Sequence, residues 1–362
     1  MKNLVMLMAC SIVQHAVANE SSLMSILQPA CGDAERLIVQ VFHSDDEYLR
    51  ANAIEAMQVV PERLLPMVQL GLKDPSPVVR FTALMLIGKC TLAELGNEAV
   101  EFLSDRSPSV RAAALFAVRA CGRDTDLREL PTLLVDKSST VRRNTAMVIG
   151  LMGEKSAIHM LRDLSRVSMH TAHPVEQMIN RLQIAEAILL LGDDKELDTV
   201  RAGAYSRSVE VRVLAITILG NVKDLAMIEA FPPMLQDETI EVRLAAATTL
   251  AKLGRDDGLD VILEGANFDA EDVKNSVLAF LGKVAEGPSV AAFRRLVGDP
   301  SEQHRVAAMI RAQAAFGLGQ VYSTHAAERL VQMLAEDELP VTLAAAASIL
   351  KAVATGSRAT QR

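Results

Sequence analysis

Three polar side chains lie close enough in one stretch to do chemistry together. They are His170, His173 and Glu176, in the run SRVSMHTAHPVEQM that starts at Ser165. A His-x-x-His pair can offer two imidazoles to one metal ion when both lie on the same helical turn. Pro174 follows His173 directly and argues for a loop at that point, and no second pair of ligands is evident. The expected state of this stretch is a solvated loop, with no metal and no cofactor. No Gly-x-Ser-x-Gly, Walker loop or His-Glu-x-x-His occurs elsewhere. None of the four cysteines has a histidine at a helpful local position. On residue chemistry alone the chain is expected not to be an enzyme.

A different pairing recurs along the chain. Asp and Arg stand six residues apart in Asp74/Arg80, Asp105/Arg111, Asp136/Arg142, Asp237/Arg243 and Asp299/Arg305. Arg80, Arg111 and Arg142 follow one another at 31 residues, and so do Arg181, Arg212, Arg243 and Lys274. A fixed period of this size marks a solenoid, whose units bury their apolar faces only against their neighbours. Counting from Arg50 to Leu343, which replaces the arginine in the last unit, gives ten units. Each unit reads as a first helix, a turn with Asp and often Pro, and a second helix that carries the arginine. Pro75, Pro108 and Pro300 sit where a helix start tolerates proline. The turn Asp can cap the second helix and suits its positive end. An alanine recurs three residues after the arginine, as Ala53, Ala83, Ala114, Ala215, Ala246, Ala314 and Ala346. A small residue there lets a neighbouring helix approach closely.

Composition agrees with close-packed short helices: 50% of residues are hydrophobic, 3% are aromatic and none is Trp. The net charge of -8, with no basic run longer than Arg142-Arg143 or Arg294-Arg295, speaks against a nucleic-acid partner. Polar turns are expected to interrupt every apolar helix before the ~20 residues a membrane span requires. Cys90 and Cys121 occupy equivalent places, ten residues after Arg80 and Arg111. Stacked helices pack about 8–10 Å apart, farther than a disulfide tolerates, so two small core residues are expected.

The Asp-x-x-x-x-Val-Arg-x-x-Ala pattern resembles HEAT repeats, particularly the short bacterial kind also found in phycobilin lyases. The resemblance covers about residues 34–354. It implies an all-α, right-handed α-solenoid of about ten HEAT-like helical-hairpin repeats. It also implies a ladder of Asp–Arg hydrogen bonds between successive repeats, through Asp74, Arg80, Asp105, Arg111, Asp136, Arg142, Asp237 and Arg243. Departures are expected at Ser206/Arg212 and at Asp269/Lys274. HEAT-type iron hydroxylases depend on paired His-Glu motifs, and no His-Glu dipeptide occurs here.

Two steps break the period: Arg142 to Arg181 is 39 residues, with the extra residues around Ser165–Gln177, and Lys274 to Arg311 is 37. Insertions in solenoids map to loops on one face, often the binding face. In HEAT arrays the second helices line the concave surface. At 100° per residue, positions one and five after the arginine point away from the core side. Position one supplies Phe81, Arg143, Leu182 and Val213; position five supplies Met85, Phe116, Met147 and Phe316. Phe81, Met85, Phe116, Met147 and Phe316 are thus candidates for an apolar strip that binds a partner, unless they pack against adjacent repeats.

At the N-terminus, Lys2 precedes an apolar run from Leu4 to Val13, then Ala16-Val17-Ala18 and polar residues. This is the layout of a secretory signal peptide over residues 1–18, cleaved after Ala18. Leu7-Met8-Ala9-Cys10 also resembles a lipoprotein box, with a lipid anchor at Cys10 as the alternative; an apolar capping helix is a third. The expected organisation is a cap at 19–33, a solenoid at 34–354 and a polar tail at 355–362. The expected function is a non-catalytic scaffold, exported to the periplasm or cell surface of a bacterium, that binds a protein or peptide. The alternative is an intracellular lyase-like or maturation factor.

Overall fold

The computed structural model describes residues 21–166, 173–283 and 294–359. The leader and Cys10 lie outside the described residues, as does His170. Among the described residues every regular element is helical. The chain folds as two compact units, one of Phe42–Glu229 and one of Met1–Val41 with Ala230–Arg362.

In the Phe42–Glu229 unit the hairpins follow the repeat. The first-layer helices are α3 (Pro61–Leu72), α5 (Gly96–Glu101), α7 (Leu130–Leu134), α9 (Ala157–Arg166) and α11 (Leu197–Gly203). The arginine-bearing helices are α2 (Glu47–Ala56), α4 (Pro77–Cys90), α6 (Pro108–Ala120), α8 (Ser139–Met152), α10 (Pro174–Leu190) and α12 (Val209–Asn221). Each arginine-bearing helix packs against the next, and each of α4 to α12 packs against the first-layer helix before it. Turn chemistry sets where they start. The Asp46 carboxylate accepts from Tyr48 N and Leu49 N, and the Ser76 hydroxyl from Val78 N with Pro77 as the first helical residue. Left-handed Thr91 and Gly153 end α4 and α8. All seven alanines that recur three residues after the arginine are fully buried.

The other unit holds α13 (Phe231–Met234), α14 (Ile240–Lys252), α15 (Leu259–Ala266), α16 (Ala270–Lys283), α17 (Pro300–Leu318), α18 (Thr324–Met333) and α19 (Leu339–Ala359), with α1 (Cys31–Val41) from the chain's start. Here α14 packs directly against α17, and α17 against α19. Lys274 belongs to α16, which packs against α17, and its ammonium pairs with Glu271 on its own helix at 3.1 Å. Helix α19 is longer than the expected short helices, and its segment Leu339–Gly356 is long and apolar enough to cross a bilayer. Its apolarity serves packing: Val341, Leu343, Ala345, Ala346, Ile349 and Leu350 are buried, and α19 packs against α1, α17 and α18. It continues to Ala359, through residues that the sequence pattern assigned to a tail.

Candidate binding site

The motif arginines position the turns before they position anything else. In Arg80, Nη1 donates to the Asp74 and Pro75 carbonyls at 3.0 and 2.9 Å, closing the turn that precedes its own helix. Its Nε and Nη2 form a fork that reaches forward to the next repeat, meeting Asp105 Oδ2 and Oδ1 at 2.9 and 3.1 Å. Arg50 does the same with Asp74, at 2.8 and 3.0 Å. The Asp carboxylate also accepts from the N–H two residues on, in Ser76 and in Ser107. One residue type thus shapes a turn and receives the previous repeat's arginine. Planar, bidentate pairs of this sort combine strength with fixed geometry.

Burial alone would raise the Asp74 carboxyl. The hydrogen bonds from Arg50 and the Ser76 N–H, with the charges of Arg50 and Arg80, outweigh burial and hold it below the usual range. Asp105 is held low in the same way by Arg80, the Ser107 N–H and Arg111. A carboxyl lower in the folded than in the unfolded state stabilises above its unfolded value, ~3.9, and that contribution is lost as pH falls through the folded value. Stability of the Phe42–Glu229 unit should therefore decline below about pH 4. Asp74→Asn with Asp105→Asn should lower stability at neutral pH and flatten that decline, as read by urea midpoints across pH. An unchanged slope would remove the ladder from the account.

The ladder departs from expectation already at Arg111, well before Ser206/Arg212, where the sequence pattern indicates the first departure. Arg111 Nη1 closes its own turn on the Asp105 carbonyl at 2.8 Å, but its Nε goes to Glu129 at 2.8 Å rather than to Asp136. Arg142 closes its turn on the Asp136 and Lys137 carbonyls at 2.8 and 3.1 Å. Its Nε has no hydrogen-bond partner, and its Nη2 stands 3.6 Å from Glu176, a side chain 45% exposed. Arg142 itself is 9% exposed at the side chain. In the other unit, Arg243 closes its turn on the Asp237 carbonyl at 3.1 Å and pairs with Glu264 at 2.6 Å. Arg305 pairs with Glu302 in its own helix, while Arg311 reaches Glu336 and Glu338.

A second set of pairs escaped the sequence reading. Arg162 in α9 meets Asp193 and Glu196 at 2.9 and 3.3 Å, and Arg201 in α11 meets Asp224 through both carboxylate oxygens at 2.7 and 2.9 Å. Asp193 and Asp224 lie 31 residues apart. That spacing was the available signal.

The proposed apolar strip is not a continuous surface. Met85 and Phe116 are 3% and 6% exposed, Phe81 and Met147 are half-buried, and Phe316, in the other unit, is 51% exposed. The reason lies in the row. Each inner arginine-bearing helix is covered on both flanks and by the first layer, so its open arc is narrow, and a helix apolar all round is a buried one. The ring of Phe116 takes the space above Gly88: a Cβ there would lie 2.4 Å from Phe116 Cε1. Cys31, Cys90 and Cys121 are free and half-buried, and burial pushes each thiol up, away from the reactive thiolate. His173 caps α10, its ring nitrogen accepting from Val175 N at 3.4 Å. No cluster of metal ligands occurs among the described residues.

What the break in the ladder leaves is a cavity of about 280 Å³ between α8 and α10. Leu134, Val135, Ala146, Leu164, Pro174, Met178 and Ile184 are the apolar residues of its lining, and Arg142, Arg143, Arg181, Gln177, Asn180 and Gln183 the polar ones. Arg143, Arg181 and Met178 are exposed. Position one after the motif arginine, which holds Arg143, does face open space here; at Leu182 it is fully buried.

Comparison with known families bears on the architecture. The HEAT repeats model matches residues 96–168 and 197–282, and the PBS lyase HEAT-like repeat model matches 310–336. The chain is built of HEAT-like repeats. No curated protein sequence matches this HEAT-repeat chain. Among solved structures, it is similar to the complex of CpcE and CpcF of phycocyanin lyase from Nostoc sp. PCC7120, with 16% identity and a TM-score of 0.36 over 64% of this chain and 93% of that one. It is also similar to human deoxyhypusine hydroxylase in complex with glycerol, with 17% identity and a TM-score of 0.31 over 72% of this chain and 97% of that one. At such identity these neighbours concern the fold, and no residue role is carried from them. Two expectations are nevertheless corrected. Both neighbours are enzymes by name, so a HEAT-repeat chain without a familiar motif is not thereby a non-enzyme. Export to the periplasm or cell surface does not stand either: the leader on which it rested lies outside the described residues.

Proposed function

We propose that this HEAT-repeat protein is a maturation or assembly factor that holds a protein partner in the cleft between α8 and α10. One observation carries the reading. Where the 31-residue period is interrupted, the two-point fork of the ladder gives way to a single long contact of Arg142 with Glu176, at 3.6 Å, beside an open, part-apolar cavity. Elsewhere in this unit the forks of Arg50, Arg80 and Arg201 are closed by the chain's own carboxylates. The match of residues 310–336 to a PBS lyase HEAT-like repeat supports the maturation side. A rigid scaffold that presents a preformed cavity binds with little ordering cost of its own.

The test places a benzophenone amino acid at Met178, on the cavity wall, or at Leu225, an exposed residue of the same unit outside it. Irradiation in the native host should trap a discrete partner from position 178 and not from 225. A partner trapped from 225 and never from 178 would sink the reading.

A further inference from the structure

Resting on that reading, we propose that the cleft recognises an acidic side chain of the partner, flanked by apolar residues, and that this carboxylate takes the place at Arg142 that an Asp of the next repeat takes at Arg50 and Arg80. The comparison is internal to the molecule. At Arg50, Arg80 and Arg201 both Nε and Nη2 donate to one carboxylate. At Arg142 the same fork is nine-tenths buried, its Nε is without a partner and its Nη2 is beyond hydrogen-bond distance of Glu176. A buried donor left unmade is costly, and native structures keep such groups where something else completes them.

The surroundings select the ligand. Arg143 and Arg181 make no ion pair among the described residues, and with Arg142 they put three arginines in the lining of one cavity, in a chain whose net charge is -8. Beside them the lining is apolar, with Leu134, Met178 and Ile184. A carboxylate alone would leave that lining wet, and an apolar segment alone would leave the fork unpaired. A short acidic and apolar peptide satisfies both. Glu176, half-exposed on α10, is the internal competitor that such a ligand displaces.

The full chain is titrated with N-acetyl-leucyl-aspartyl-leucine amide, with its asparaginyl counterpart, and with sodium acetate. The aspartyl peptide should bind saturably, the asparaginyl peptide about tenfold more weakly or worse, and acetate should compete only at far higher concentration. Arg143→Ala with Arg181→Ala, both exposed, should weaken aspartyl-peptide binding about tenfold with the thermal melt unchanged. Glu176→Gln should strengthen it. Equal binding of the two peptides, indifference to the arginine substitutions, or acetate competing as well as the peptide would each overturn the proposal. If a partner is still trapped from position 178 in that case, the proposed function stands and only the acidic recognition falls.

Discussion

Replacing Phe116 by alanine lowers the stability of the Phe42–Glu229 unit by about 3–5 kcal/mol, the cost of truncating a large aromatic in a packed core. The expectation follows from placement. Phe116 is 6% exposed and its ring fills the space above Gly88 between α4 and α6. Gly88→Ala tests the same contact from the other side. Its methyl would meet the ring at 2.4 Å, and a rigid aromatic in a row of packed helices has little room to give, so a loss of about 1–3 kcal/mol follows. The two changes are coupled, because the methyl of Gly88→Ala occupies part of the void left by Phe116→Ala. The double variant should lose clearly less than the sum of the singles. Urea unfolding of the four proteins measures this, and a strictly additive result would show that the two residues do not meet.

Ile38→Ala is the second large effect, at about 2–4 kcal/mol. Ile38 is fully buried in α1, with Leu27, Ala34 and Val41 buried beside it in sequence, and α1 packs against α19. The apolar face of a solenoid helix needs a neighbour to cover it. Here the cap of α19 comes from the other end of the sequence. Loosening α1 should therefore raise hydrogen exchange in α19, more than 300 residues away in sequence, before it affects α4 or α6. If α19 keeps its protection in Ile38→Ala while α4 and α6 lose theirs, the capping role is excluded.

The sequence by itself determined the repeat, the helices and the spine of the core. Arg80, Arg111 and Arg142 mark the period, and the alanine three residues after the motif position is fully buried in every unit that carries it. These properties are local: a turn, its cap and the face of a helix are set within one 31-residue unit, and a neighbouring copy of the same unit is the surface it meets. Tertiary structure decided what depends on residues far apart or on the packing of the row. Helical periodicity placed Met85 and Phe116 on an open face, but helices on both flanks bury them. The six-residue Asp–Arg spacing described one turn, and the folded chain shows which carboxylates, Asp74 and Asp105, receive the arginine of the repeat before them. The choice of Glu129 by Arg111, and the open fork of Arg142, follow from how α7, α8 and α10 sit. The cover of α19 by α1 could not be read locally either. The periodic pattern states that an apolar face needs a neighbour; only the folded chain shows which segment provides it.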